Sequence, residues 1–144
     1  MTLFNGEGGE YGARIGAIDG ARVSVEVHEW RASERESPLS ITLIQALQSA
    51  EKMDLTVQKA VELGVSHIVP AVSRRSIVRL AAPRAARRTE HWRGVIVAAC
   101  EQCGRNRLPT ISDPLVLEDY LTPPAPPRAL RLLLAPTASL SLHT

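Results

Sequence analysis

No apolar run in these 144 residues is long enough to cross a bilayer, and the amino terminus lacks a basic-then-apolar signal pattern. The sequence therefore reads as that of a cytoplasmic protein. Cysteine is scarce: Cys100 and Cys103 are the two present, too few for a disulfide framework. Their Cys-x-x-Cys spacing suggests a redox pair or half a zinc site. Redox pairs sit at helix N-termini, where the dipole lowers the thiol pKa, whereas this pair falls at the C-terminal end of a predicted helix. A structural zinc site needs four ligands, no second pair exists, and His28, His67, His91 and His143 are scattered, so no metal is expected. Both cysteines are expected as small buried side chains. The Asn5–Gly9 turn is no phosphate loop, because no lysine–serine pair follows it and no helix opens after it. No Ser-His-Asp constellation is visible, and no catalytic base can be named. Group transfer from a cofactor to a positioned acceptor needs neither, because orientation supplies much of the rate.

Lysine is also rare, with two against fifteen arginines. Nine of those arginines lie between Arg74 and Arg107, where only Glu90 and Glu101 oppose them. That segment carries +7, whereas the rest of the chain carries −5. A basic block between acidic flanks reads as a footprint for a polyanion, most often nucleic acid. A solvated arginine-rich helix face is the plain alternative.

Residues 1–31 read as β structure: Leu3-Phe4, a turn over Asn5–Gly9, alternating strands over Tyr11–Ile18 and Arg22–His28, and a hairpin at Asp19-Gly20. So few strands close no barrel and bury no core alone. Residues 32–38 are polar, end in proline and read as a linker. The rhythm then changes. Strands are expected over Ile41–Leu47, His67–Val72, Pro109–Ser112 and Leu130–Leu134. Helices are expected over Glu51–Leu63, Arg84–Cys103 and Leu115–Leu121. Alternating strands and helices argue for an α/β fold with a parallel sheet covered by helices.

The candidate site residues follow from these ends. Glu101-Gln102-Cys103-Gly104-Arg105-Asn106-Arg107 displays planar donors at a helix exit, suited to phosphates or base edges. Ser73-Arg74-Arg75-Ser76 follows the carboxyl end of a strand, a place for phosphate contacts. Arg74, Arg75, Arg105, Asn106 and Arg107 are the expected contacts to a nucleic acid. Gln102 is expected to converge with Arg105 and the strand ends on a substrate. Lys59 and Glu62 read as a plain ion pair on a helix.

Several of these stretches, with Arg35-Glu36-Ser37-Pro38-Leu39, Glu51-Lys52-Met53-Asp54 and Gln58-Lys59-Ala60-Val61-Glu62-Leu63-Gly64-Val65, occur in an order that resembles the RsmE family of ribosomal RNA methyltransferases. Leu3-Phe4-Asn5-Gly6 is similar to that family's N-terminal module. The resemblance implies part of a PUA-like RNA-binding barrel and linker over residues 1–36. It implies a SPOUT-type (α/β-knot) methyltransferase domain, here incomplete, over residues 37–144. It further implies methylation of N3 of a uridine in 16S ribosomal RNA, S-adenosyl-L-methionine as cofactor, the small ribosomal subunit as partner, and a homodimer. Ala135 and Pro136 would border the cofactor pocket. The family's Gly-Pro-Glu-Gly-Gly loop and later Arg-Thr-Glu-Thr-Ala segment are not found, so the chain reads as the middle of a longer protein. An inactive RNA-binding fragment and a structural dimer scaffold are the alternatives.

Overall fold

The computed structural model describes residues 1–74, 82–135 and 137–138. The first 31 residues form an antiparallel sheet in the order β1-β2-β3, from β1 (Thr2–Leu3), β2 (Glu10–Asp19) and β3 (Arg22–Arg31). The Asp19-Gly20 signal turns β2 into β3, with Asp19 opposite Arg22. The alternating Val23, Val25 and Val27 stay exposed, as does every residue of β3. This sheet buries no core of its own.

The core lies in the second unit. It comprises β4 (Thr42–Ala46), α1 (Ala50–Glu62), β5 (His67–Val72), α2 (Ala82–Cys103), β6 (Thr110–Ile111), β7 (Leu115–Val116) and α3 (Leu117–Leu121). β5 pairs in parallel with β4, β6 and β7. Met53, Val57, Ala60 and Val61 form the buried stripe of α1; Trp92, Ile96, Ala99 and Cys100 form that of α2. Spacings of three and four residues put each set on one helical face. Both stripes join Ile68 of β5 in a single cluster. Gly64, at φ +88°, ends α1. Its N–H donates to the Val61 carbonyl and that of Val65 to the Ala60 carbonyl, a Schellman stop that a side chain at Gly64 would strain.

The register fixes two edges. Thr110 pairs with His67 at the amino end of β5, whereas Val116 pairs with Val72 at its carboxyl end. α2 therefore starts near the carboxyl edge and delivers the chain to the amino edge. Its 22 residues span about 33 Å at 1.5 Å each.

The parallel, helix-flanked sheet is the one expected, and β5 has the expected bounds. Three expectations are corrected. Leu115–Leu121 divides into β7 and α3, because Leu115 and Val116 find hydrogen-bonding partners in β5. Leu130–Leu134 forms no strand: Leu130, Leu133 and Leu134 are each more than 80% exposed. An apolar run becomes a strand only when it pairs with a ladder, and among the described residues this one pairs with none. Residues 32–38 are no loose linker, because their acidic side chains are bound to the exit of α2.

Candidate functional site

The exit of α2 is held from two sides. Arg105 turns inward, with its side chain 8% exposed. Its Nη1 donates to the carbonyls of Val61 and Val65, both at 2.9 Å, at the end of α1. Its Nε donates to Glu36 Oε1 at 2.9 Å, and Nη2 donates to the other oxygen of the same carboxylate. The hydrogen bond to Glu36 holds the guanidinium proton more tightly than usual, against the opposing effect of burial. Asn106 is 1% exposed, and its Nδ2 donates to the Ser33 carbonyl at 2.8 Å. From the other side, the Gly8 N–H donates to the Asn106 carbonyl at 3.0 Å. A side chain at Gly8, where φ is +93°, would place its Cβ 2.7 Å from the Arg107 guanidinium carbon. Only glycine lets the turn approach so closely.

Arg107 differs from its two neighbours. It is half exposed, and its Nε donates to Glu34 Oε2 at 3.3 Å. The Glu34 carboxyl is held below its ordinary pKa, first by the backbone N–H of Glu36, then by that of Arg35 and by Arg107. The expectation of three displayed side chains is thus corrected for Arg105 and Asn106. A guanidinium leaves water only when a carboxylate meets it, and Glu36 does so here. Arg105 and Asn106 spend their donors inside the fold and present none to RNA.

Gln102 and Arg105, expected to converge with the strand ends, do not point the same way, and Arg74 lies apart from both. Gln102 is exposed on the last turn of α2, at the amino edge. Arg74 follows the carboxyl end of β5, 89% exposed, with Nε 3.2 Å from Glu118 Oε1. Arg75 and Pro136 lie outside the described residues. Ala135 is half-buried and accepts a backbone hydrogen bond from Ala138 at 3.0 Å. A few residues before it, Arg131 donates to the carbonyls of Leu121 and Pro123, which ties this stretch to the end of α3.

Two clefts open at these edges. One, of about 470 Å³, lies at the amino edge between Met1–Phe4, Glu10 and Arg35 on one side and the end of α2 on the other. The second, of about 430 Å³, lies at the carboxyl edge and is lined by Leu115, Asp119, Tyr120 and Arg131. Both volumes suit a small molecule. Among the described residues no group of His, Cys, Asp and Glu side chains is arranged to hold a metal, and no helix is long and apolar enough to cross a membrane.

The clamp residues Ser33, Glu34 and Glu36 were missed by sequence reasoning. Their signal was the matched spacing: Glu34 and Glu36 meet Arg107 and Arg105, two alternating charges against two of opposite sign. Of the two cysteines, Cys100 is buried as expected and Cys103 is not. Cys100 is fully buried, and burial pushes its thiol up to about 11, whereas Cys103 is exposed. Iodoacetamide at about pH 8, close to the ordinary thiol pKa of ~8.5, is therefore expected to add once per folded chain, at Cys103. Peptide mass spectrometry showing equal labelling of Cys100 would contradict this burial.

Comparison with known proteins gives this geometry a setting. The family described as RNA methyltransferase domain matches residues 35–144. The ribosomal RNA small subunit methyltransferase E of Buchnera aphidicola subsp. Schizaphis graminum is 30% identical over 123 residues, covering 85% of this chain and 48% of that protein. Its Bacillus subtilis counterpart is 30% identical over 107 residues, covering 74% and 42%. The crystal structure of ribosomal RNA small subunit methyltransferase E from Neisseria gonorrhoeae bound to S-adenosyl methionine aligns with a TM-score of 0.80 and 42% identity, over 85% of this chain and 50% of that one. A putative methyltransferase from Legionella pneumophila, in complex with the same cofactor, aligns with a TM-score of 0.80 and 38% identity, over 83% and 49%. The chain spans about half the length of the relatives it matches. With the family match running through both helices of the core and the whole parallel sheet, the chain belongs to the RNA methyltransferase domain family.

Proposed function

We propose that this chain is part of a ribosomal RNA small subunit methyltransferase that transfers a methyl group from S-adenosylmethionine to N3 of a uridine in 16S ribosomal RNA. One observation carries the reading: the likeness, at 42% identity, to a methyltransferase crystallised with that cofactor. Residues 1–36 are read as part of a PUA-like RNA-binding unit, and residues 37–144 as the methyl-transferring unit. The working form is a cytoplasmic homodimer.

The chemistry is consistent with a site that lacks a side-chain nucleophile. S-adenosylmethionine supplies an electrophilic methyl group on a sulfonium sulfur. The uracil N3–H must lose its proton as the new N–C bond forms, and the base must leave any stack or pair to be reached. The protein's task is then to bind, orient and exclude water. The carboxyl edge is the favoured side for the cofactor, because ligands of parallel α/β sheets sit beyond the strand ends. Ala135 and Pro136 border it in this reading, and the cleft beside Asp119 offers a carboxylate to ribose hydroxyls or an ammonium group. Arg74, Arg75 and Arg107 are read as phosphate contacts, and Gln102 as a polar contact on the amino side.

The test is calorimetric titration of the chain with S-adenosylmethionine, paired with methyl transfer to small-subunit RNA. Saturable heat and N3-methyluridine in the nuclease digest are expected. Absence of heat from a chain that still binds RNA would replace this reading with that of a non-enzymatic RNA-binding fragment.

A further inference from the structure

The fold sorts the nine arginines of the basic segment. Arg105 is used internally. Arg74, Arg93 and Arg107 face the carboxylates of Glu118, Glu90 and Glu34. Arg75 and Arg79 lie outside the described residues. Arg84, Arg87 and Arg88 remain, in the first two turns of α2. Arg84 and Arg87 are exposed, Arg88 is partly so, and none of the three has an ion pair among the described residues.

Their arrangement is unfavourable for the helix itself. Arg87 and Arg88 stand three and four residues after Arg84, so their side chains emerge as neighbours about 5–6 Å apart at Cβ. Like charges at that spacing destabilise a helix, and no acidic residue in the first turn offsets them. A side-chain cluster that opposes local stability without an internal partner marks a surface kept for an external one.

The position of the cluster adds a second argument. α2 opens just after the carboxyl end of β5, so Arg84, Arg87 and Arg88 share an edge with Arg74. The His91–Asp54 contact at 2.8 Å sets the early turns of α2 beside those of α1, where Lys52 is exposed. The opposite edge carries Glu10, Glu34, Glu36 and Glu101. Glu10, Glu34 and Glu36 are matched there by Arg35, Arg107 and Arg105, so the segment's arginines without an ion pair among the described residues gather on the side where a parallel sheet presents its ligands.

We propose that Arg84, Arg87 and Arg88 form the main face that grips the phosphodiester backbone of the RNA, in place of Arg105 and Asn106. The proposal rests on the RNA-directed reading above. It commits to a polyanion recognised by charge, so these residues set affinity and salt dependence rather than the choice of base.

The test uses the full chain and a labelled uridine-rich RNA oligonucleotide, with affinity measured by fluorescence anisotropy across a salt series. Three phosphate contacts at about 0.7 each give a slope of log affinity against log salt that is shallower by about 2 in R84A/R87A/R88A. Affinity at low salt is expected to fall about tenfold or more. R93A, on the same helix but already paired, should leave the slope near its parent value. R84K/R87K/R88K should restore the slope, because counterion release counts charge; its failure to do so, with circular dichroism unchanged, would overturn the proposal. So would an alanine variant indistinguishable from R93A, or an unmodified chain that ignores RNA and binds phosphatidylserine vesicles through the same three arginines. A slope change without any heat from S-adenosylmethionine would sink the methyl-transfer reading and leave this one standing. Cofactor heat with an unchanged slope would do the reverse.

Discussion

Arg105→Ala is expected to destabilise the chain by about 3–5 kcal/mol, the usual cost of removing one partner of a buried ion pair. The substitution leaves the Glu36 carboxylate, 17% exposed, without its counter-charge. It also strips the Val61 and Val65 carbonyls of a shared donor at the end of α1. Because domains of this kind are stable by only about 5–15 kcal/mol, the loss is a large part of the total. Urea denaturation followed by circular dichroism measures it. At about 1–3 kcal/mol per molar for the denaturant slope, the midpoint should fall by more than about 1 M. Glu36→Gln should also destabilise, because it leaves Arg105 buried without a full counter-charge. The double variant Arg105→Met/Glu36→Leu should recover part of the loss, since no charge remains buried, but not all of it, since the two carbonyls stay without their donor. A shift in Arg105→Ala no larger than that of an exposed arginine such as Arg93→Ala would show that the inward pair is not formed in solution.

That pair also explains where sequence reasoning stopped. Local pattern suffices for local structure. The short apolar run of His67–Val72 and the stripe through Trp92 and Ile96 give β5 and α2 without knowledge of any neighbour, because pattern and propensity act within a few residues. The Asp19-Gly20 turn is legible for the same reason. Glu36 meets Arg105 across 69 positions, and Ser33 meets Asn106 across 73. Nothing within residues 32–38 distinguishes a solvated acidic linker from a strap that neutralises a distant arginine. Leu130–Leu134 fails in the opposite direction: the side chains of a strand are present, but the run pairs with no strand among the described residues.

The candidate site divides along the same line. The residue types at the helix exit were legible in the sequence as planar donors. Their direction was not. A glycine stop fixes where α2 ends, whereas the Val61 and Val65 carbonyls and Glu36 fix which way the next side chain turns. Arg74 and Arg105 lie at different edges because the length of α2 carries the chain from one edge of the sheet to the other. Counting turns between two candidate residues, and asking which strand end each adjoins, separates them before any coordinates exist.

Trp92→Ala is expected to be as damaging as Arg105→Ala, by a different route. Trp92 is fully buried in the cluster that joins α1, α2 and β5, and truncating a large aromatic in a core costs about 3–5 kcal/mol. The loss has two parts: the transfer free energy of the ring, and the cavity left between helices that cannot fully close over it. Trp92→Phe separates volume from polarity. The indole Nε1 is buried and has no hydrogen-bond partner among the described residues, and an orphaned donor of that kind costs about 1–3 kcal/mol. Phenylalanine removes that donor while keeping most of the apolar surface, so its net effect should lie within about 1 kcal/mol of the parent, the relieved N–H offsetting the smaller ring. The same urea series reads both variants, and the ordering is the decisive result: alanine far below the parent, phenylalanine near it. If phenylalanine were as damaging as alanine, the indole N–H would have a partner in solution, and the packing between α1 and α2 would have to be redrawn around it.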